Sequence, residues 1–170
     1  MQQLASRLES ITRGVGIAAA WLTLAMVLVM SLIVAQRYLF DTGAIWVQES
    51  ISLMHAAVFM LAAGYTLAAN DHVRVDVFYS RFDARGKAIV ELFGTLFLLL
   101  PFCGFLIWSS WDFVNVSLSI QETSQEAGGL PFPFPTLVKA CIPLGALLLI
   151  LQGLANLLRA LAVLSGRHGD

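Results

Sequence analysis

A chain of 170 residues that is 58% hydrophobic and only 12% charged has too little polar side chain to cover a soluble core of that size. Its formal net charge of −1 comes without any basic patch, which excludes nucleic-acid binding as a function class. Paired carboxylates, nucleophile arrangements and phosphate-cradling loops are also missing from the sequence, so it does not read as an enzyme.

The predicted elements follow from the spacing of the charges. Residues 14 to 36, 50 to 70, 92 to 111 and 140 to 158 contain no Asp, Glu, Lys or Arg, and these gaps run 23, 21, 20 and 19 residues. About 20 apolar residues of helix cross a hydrocarbon core about 30 Å thick. Lipid gives backbone N–H and C=O groups no partner, so segments of this kind must be helical. The chain therefore reads as a single all-α membrane domain over 1–170, with transmembrane helices at about 15–36, 46–69, 88–111 and 136–158. The uncharged run after Arg13 is longer than the apolar core of a cleavable signal peptide and reads as a retained first span.

Asp41-Thr42-Gly43 is a turn signal, so the first two spans are antiparallel neighbours. At the start of the second, Gln48, Glu49, Ser52 and His55 fall on one helix face. Such polar faces pack against other protein. Small residues, Ala57, Gly64 and Ala68 here and Gly145 with Gly153 in the fourth span, allow close helix approach. The connection from Asn70 to Ala88 interleaves Val75, Phe78, Tyr79 and Phe82 with Arg74, Asp76, Arg81 and Arg85, the pattern of a short amphipathic segment lying at headgroup level. Asp83 is placed to cap the third span.

Pro101 and Pro143 remove hydrogen bonds within the third and fourth spans. Cys103 and Cys141 read as buried apolar thiols rather than a disulfide or a metal pair. The longest connection, Phe113 to Pro135, is acidic and ends in alternating prolines. Pro135 fits the first turn of the fourth span, whose last part carries Gln152, Asn156 and Arg159 on one face.

Orientation follows from the basic residues. With both termini cytoplasmic, the inner segments hold Arg7, Arg13, Arg74, Arg81, Arg85, Lys87, Arg159 and Arg167, and the outer ones only Arg37 and Lys139. Tyr38, Phe40, Trp46, Trp108, Trp111, Phe132 and Phe134 then form an outer interfacial belt. His55 is the only histidine within a span. A bis-histidine haem needs a second ligand, so the competing reading, a four-helix membrane anchor of a redox enzyme, lacks one unless a methionine serves.

Several motifs occur in a recognisable order. Arg37-Tyr38-Leu39-Phe40 is followed by Trp46-Val47-Gln48-Glu49, then by His72-Val73-Arg74-Val75-Asp76-Val77-Phe78-Tyr79. Gly128-Gly129-Leu130-Pro131, Ile142-Pro143-Leu144-Gly145 and Leu151-Gln152-Gly153 come later. Together they resemble the small membrane subunit, DctQ type, of tripartite ATP-independent periplasmic (TRAP) transporters. One departure is that Gln48 precedes Glu49 where many members carry two adjacent acids.

The resemblance implies a non-catalytic subunit without a cofactor, in a bacterial inner membrane. It implies a sodium-coupled transporter of organic anions, carboxylates above all. The partners would be a large elevator-type membrane subunit (DctM type) that carries the transport sites, a periplasmic substrate-binding protein (DctP type), and membrane lipid. Trp46, Glu49, His72, Arg74 and Asp76 are then candidates for the subunit interface or for structural roles. Glu122 and Glu126, in a loop without Lys or Arg between Asp112 and Pro135, are candidates for docking the binding protein.

Overall fold

The computed structural model describes residues 2–69, 79 and 81–165. Their long elements are all helical, and four are long and apolar enough to cross a membrane. The first, α1, is Gln2–Phe40, and α2 is Ile45–Ala68. The third, α3, runs Ala84–Ser119 with a wide π turn at Gly94–Leu99, and α4 is Phe134–Leu164. The 39 residues of α1 extend about 58 Å at 1.5 Å per residue. That is well beyond the uncharged gap, so the charged N-terminal turns continue the same helix.

The helix starts and breaks have local causes. Asp83 caps α3, its side chain accepting the Gly86 N–H at 2.8 Å as expected of a short acid at that position. Pro135 lies in the first turn of α4, where a missing N–H costs no helical bond. Pro101 lies one residue beyond the π turn, and the Leu100 N–H between them reaches back to the Thr95 carbonyl. A proline cannot donate to the preceding turn, and a widened turn just ahead of it relieves the mismatch. Pro143, by contrast, sits inside a continuous α4.

Four residues join α1 to α2, with Asp41 in the left-handed region at φ 50°. They make the two helices an antiparallel pair. The central element is α4, which packs against α1, α2 and α3, whereas α3 meets neither α1 nor α2 extensively. Because Glu9 of α1 and Arg159 of α4 form an ion pair, the start of α1 and the end of α4 lie at one end of the bundle. Residues 41–44 and 120–133 lie at the other, here called the loop end.

The bundle interior is small and polar rather than large and apolar. Its largest fully buried side chains are Gln152, Thr12, Cys103 and Ser117, while Trp21, Leu28, Phe59, Phe97, Leu98 and Trp108 face outward. In lipid no hydrophobic force drives apolar side chains inward, so close contact and hydrogen bonds set the packing. A Cβ on Gly145 would stand 2.6 Å from the Met60 carbonyl oxygen, and one on Gly64 would stand 3.1 Å from the Leu148 Cβ. Gly64 and Gly145 therefore bring α2 and α4 together, whereas Gly153 lies against Leu99 and Thr95 of α3. Cys103 and Cys141 are both buried free thiols.

Candidate functional site

At the loop end the first turns of α2 place Trp46 on the outside, 55% exposed, and turn Glu49 toward the 120–133 connection. Glu49 caps nothing on its own helix: Ala44 is the N-cap residue, and no side chain caps that end. One carboxylate oxygen of Glu49 accepts the Ser124 hydroxyl and the other accepts the Leu130 N–H at 2.6 Å. The Ser124 N–H bonds the Leu130 carbonyl at 2.9 Å and the Gly129 N–H the Glu126 carbonyl at 3.0 Å, closing the loop on itself. Gly128 turns the chain at φ 82°, and a Cβ on Gly129 would stand 2.7 Å from the Glu49 carboxylate. Both glycines are therefore required by geometry, one by its backbone angle and one by the closeness of the acid.

A second tie lies beside the first. The Lys139 ammonium meets the Glu122 carboxylate at 2.5 Å and stands 4.1 Å from the Phe113 ring centroid. This lysine holds the Glu122 carboxyl below the usual carboxylate range, and the Ser117 hydroxyl adds to the effect. Beneath it, the Ser117 and Thr136 hydroxyls share a buried hydrogen bond of 2.8 Å that joins α3 to α4. Glu126 stays exposed, its N–H bonded to the Ser124 hydroxyl at 3.1 Å.

Between these ties and the helices opens a groove of about 620 Å³, lined among others by Ser52, Ala56 and Met60 of α2, Phe113 of α3, and Val138 and Ile142 of α4. The aromatic side chains expected to form a belt gather at this end. Tyr38, Phe40, Trp46, Trp108 and Trp111 are all more than half exposed.

The polar residues at the end of α4 pack inside this chain. Thr12 donates to Gln152 at 2.8 Å, Gln152 donates to Asn156 at 3.0 Å, and Asn156 donates to Glu91 at 3.4 Å. This chain of bonds links α1, α4 and α3. A concavity of about 280 Å³ adjoins it, lined by Lys87, Glu91, Asn156 and Arg159 among others. The face expected on α2 splits instead. Gln48, Ser52 and His55 are exposed, while Glu49 belongs to the loop clamp. His55 faces outward from α2, and no three His, Cys, Asp or Glu side chains gather among the described residues.

His72, Arg74 and Asp76, with Val75 and Phe78 of the expected amphipathic segment, lie outside the described residues. Sequence reasoning did not connect Glu49 to Ser124 and Leu130, or Thr12 to Gln152. The Gly128-Gly129 pair was the one signal of a close approach, and it named no partner.

The family model for the DctQ component of tripartite ATP-independent periplasmic transporters matches residues 11–163. No curated protein matches the chain.

Proposed function

The chain belongs to the DctQ family of tripartite ATP-independent periplasmic transporters, and from that premise we propose that this small membrane subunit acts as a non-catalytic brace for a large transporting subunit. The observation that carries this reading is how the buried polar groups are used. Thr12, Gln152 and Asn156, and Ser117 with Thr136, bond one another across helices. Among the described residues no buried side-chain nitrogen or oxygen is left without a partner. A carrier needs polar groups with capacity to spare for cargo, commonly at broken helices. A brace needs them satisfied internally.

The same reading sets the chain in a bacterial inner membrane with both termini cytoplasmic, supported by the eight-to-two distribution of basic residues. The loop end then faces the periplasm, where the clamped 120–133 connection offers a fixed surface to a substrate-binding protein. Glu126 is its exposed acid, and Glu122 is tied to Lys139. The cargo would be an organic anion, above all a carboxylate, moved by a sodium-coupled large subunit.

The test is reconstitution with the large membrane subunit and the binding protein. Co-purification of the two membrane chains is expected, as is loss of uptake when this chain is omitted. Undiminished uptake without it would remove the bracing role. Replacing Glu122 and Glu126 by Lys should slow binding-protein association at low salt, with the difference shrinking as salt rises. Equal rates at low salt would take both acids out of the docking surface.

A further inference from the structure

Gln48, Ser52, His55 and Phe59 recur at steps of four, three and four residues, which places them on one face of α2. All four are exposed, Phe59 by 68%. Among the described residues the side chains of Gln48, Ser52 and His55 make no hydrogen bond or ion pair. His55 is about 15 Å along the helix axis from Ile45, close to the middle of the 24-residue α2. An imidazole at that depth has no hydrogen-bond partner among acyl chains, and intramembrane ionisable side chains face protein or a water-filled cavity. Most other residues of α2 are half-buried, with α1 and α4 packed against the helix, although Ile45, Trp46 and Tyr65 are exposed as well. This narrow polar seam is left open.

We infer that the α2 seam of Gln48, Ser52 and His55, with the groove beside it, seats a transmembrane helix of the large membrane subunit that supplies hydrogen-bonding groups at the levels of Ser52 and His55. The inference rests on the proposed assembly and locates its contact on this chain. Two observations select the occupant. The seam is polar where lipid tails offer no partner, which disfavours lipid. It also runs into the groove of about 620 Å³ through Ser52, which lines both. A second copy of this chain, related by a two-fold axis through the seam, would set groove against groove and leave both empty, because such an interface uses the same patch twice. A single apolar helix carrying a few polar side chains fills the groove and completes the seam.

The experiment uses the two membrane subunits co-expressed in native membranes. A photo-crosslinking residue at Ser52 or at Phe59 should give an adduct of this chain with the large subunit. His55→Leu should lower recovery of the large subunit about threefold or more, the scale of one intramembrane hydrogen bond, without lowering the melting temperature of the isolated chain, since His55 bonds nothing within it. Adducts with lipid alone, with the binding protein or with a second copy, or undiminished recovery of the His55→Leu pair, would overturn the inference. If the unmodified subunits co-purify while this pattern fails, only the location falls. If they do not co-purify at all, the bracing function falls with it.

Discussion

Glu49 on α2 and Ser124 in the loop before α4 are 75 residues apart in sequence and share a hydrogen bond, while the other oxygen of the same carboxylate holds the Leu130 N–H. One acid thus fixes the longest loop against the start of a transmembrane helix. Glu49→Leu keeps about the same bulk but offers no acceptor oxygen, so the Ser124 hydroxyl and the Leu130 N–H both lose their partner. Hydrogen exchange of the Leu130 amide should accelerate by roughly tenfold, the scale of one lost hydrogen bond. Unchanged protection at Leu130 would mean that the loop holds its shape without Glu49.

Close helix contact gives a second expectation. Gly145→Ala would place a methyl group against the Met60 carbonyl, a backbone atom with little freedom to move. Overpacking of this kind costs about 1–3 kcal/mol. Gly94→Ala, where no atom lies within 4 Å of the new Cβ, is the matched control. Thermal unfolding in detergent should separate the two variants, and similar melting temperatures would show that α2 and α4 yield easily at this crossing.

The buried bond between Thr12 and Gln152 predicts non-additivity. Thr12→Val and Gln152→Leu each remove one side of the same 2.8 Å contact, so the double variant should lose less stability than the sum of the two. A coupling of about 0.6 kcal/mol is the average for hydrogen bonds between membrane helices. Strict additivity in the cycle would show that the contact contributes nothing of its own.

The Glu122–Lys139 pair predicts acid sensitivity at the loop end. Its Glu122 carboxyl is held below the ordinary carboxylate range in the folded chain. Stability from this group is therefore complete above the unfolded value, about 4.3, and is lost as pH falls through the lower folded value. Glu122→Gln should melt below the unmodified chain by a constant margin from about pH 7 down to about pH 5, and the margin should close as pH falls further through the lowered folded value. A margin that persists at the acid end would assign the effect to shape rather than charge.

Topology is open to a direct test. Single cysteines at Asp41, Arg81 and Glu122, in a background lacking Cys103 and Cys141, should react with an impermeant thiol reagent at 41 and 122 but not at 81 in cells with a permeabilised outer membrane. The basis is the asymmetry of the basic residues. The opposite labelling pattern would invert the orientation.

The sequence by itself determined the number of spanning helices, the two helix-start signals at Asp83 and Pro135, the small residues that allow close helix approach, and the family. Each depends on one dimension. A charge-free run of about 20 residues must be a helix in lipid whatever lies beside it, and a cap or a glycine acts within its own turn or crossing. What only the tertiary structure decided was the direction of the polar faces. The end of α4 and the start of α2 carry similar clusters, yet Gln152 and Asn156 are enclosed by Thr12 and Glu91 while Gln48, Ser52 and His55 are left open. Helical spacing groups polar residues on a face, but it cannot say whether a neighbouring helix of the same chain covers that face. The partners of Glu49 were hidden for the same reason, since a carboxylate near a helix start satisfies its oxygens equally well with nearby backbone or with a loop folded back from 75 and 81 residues away.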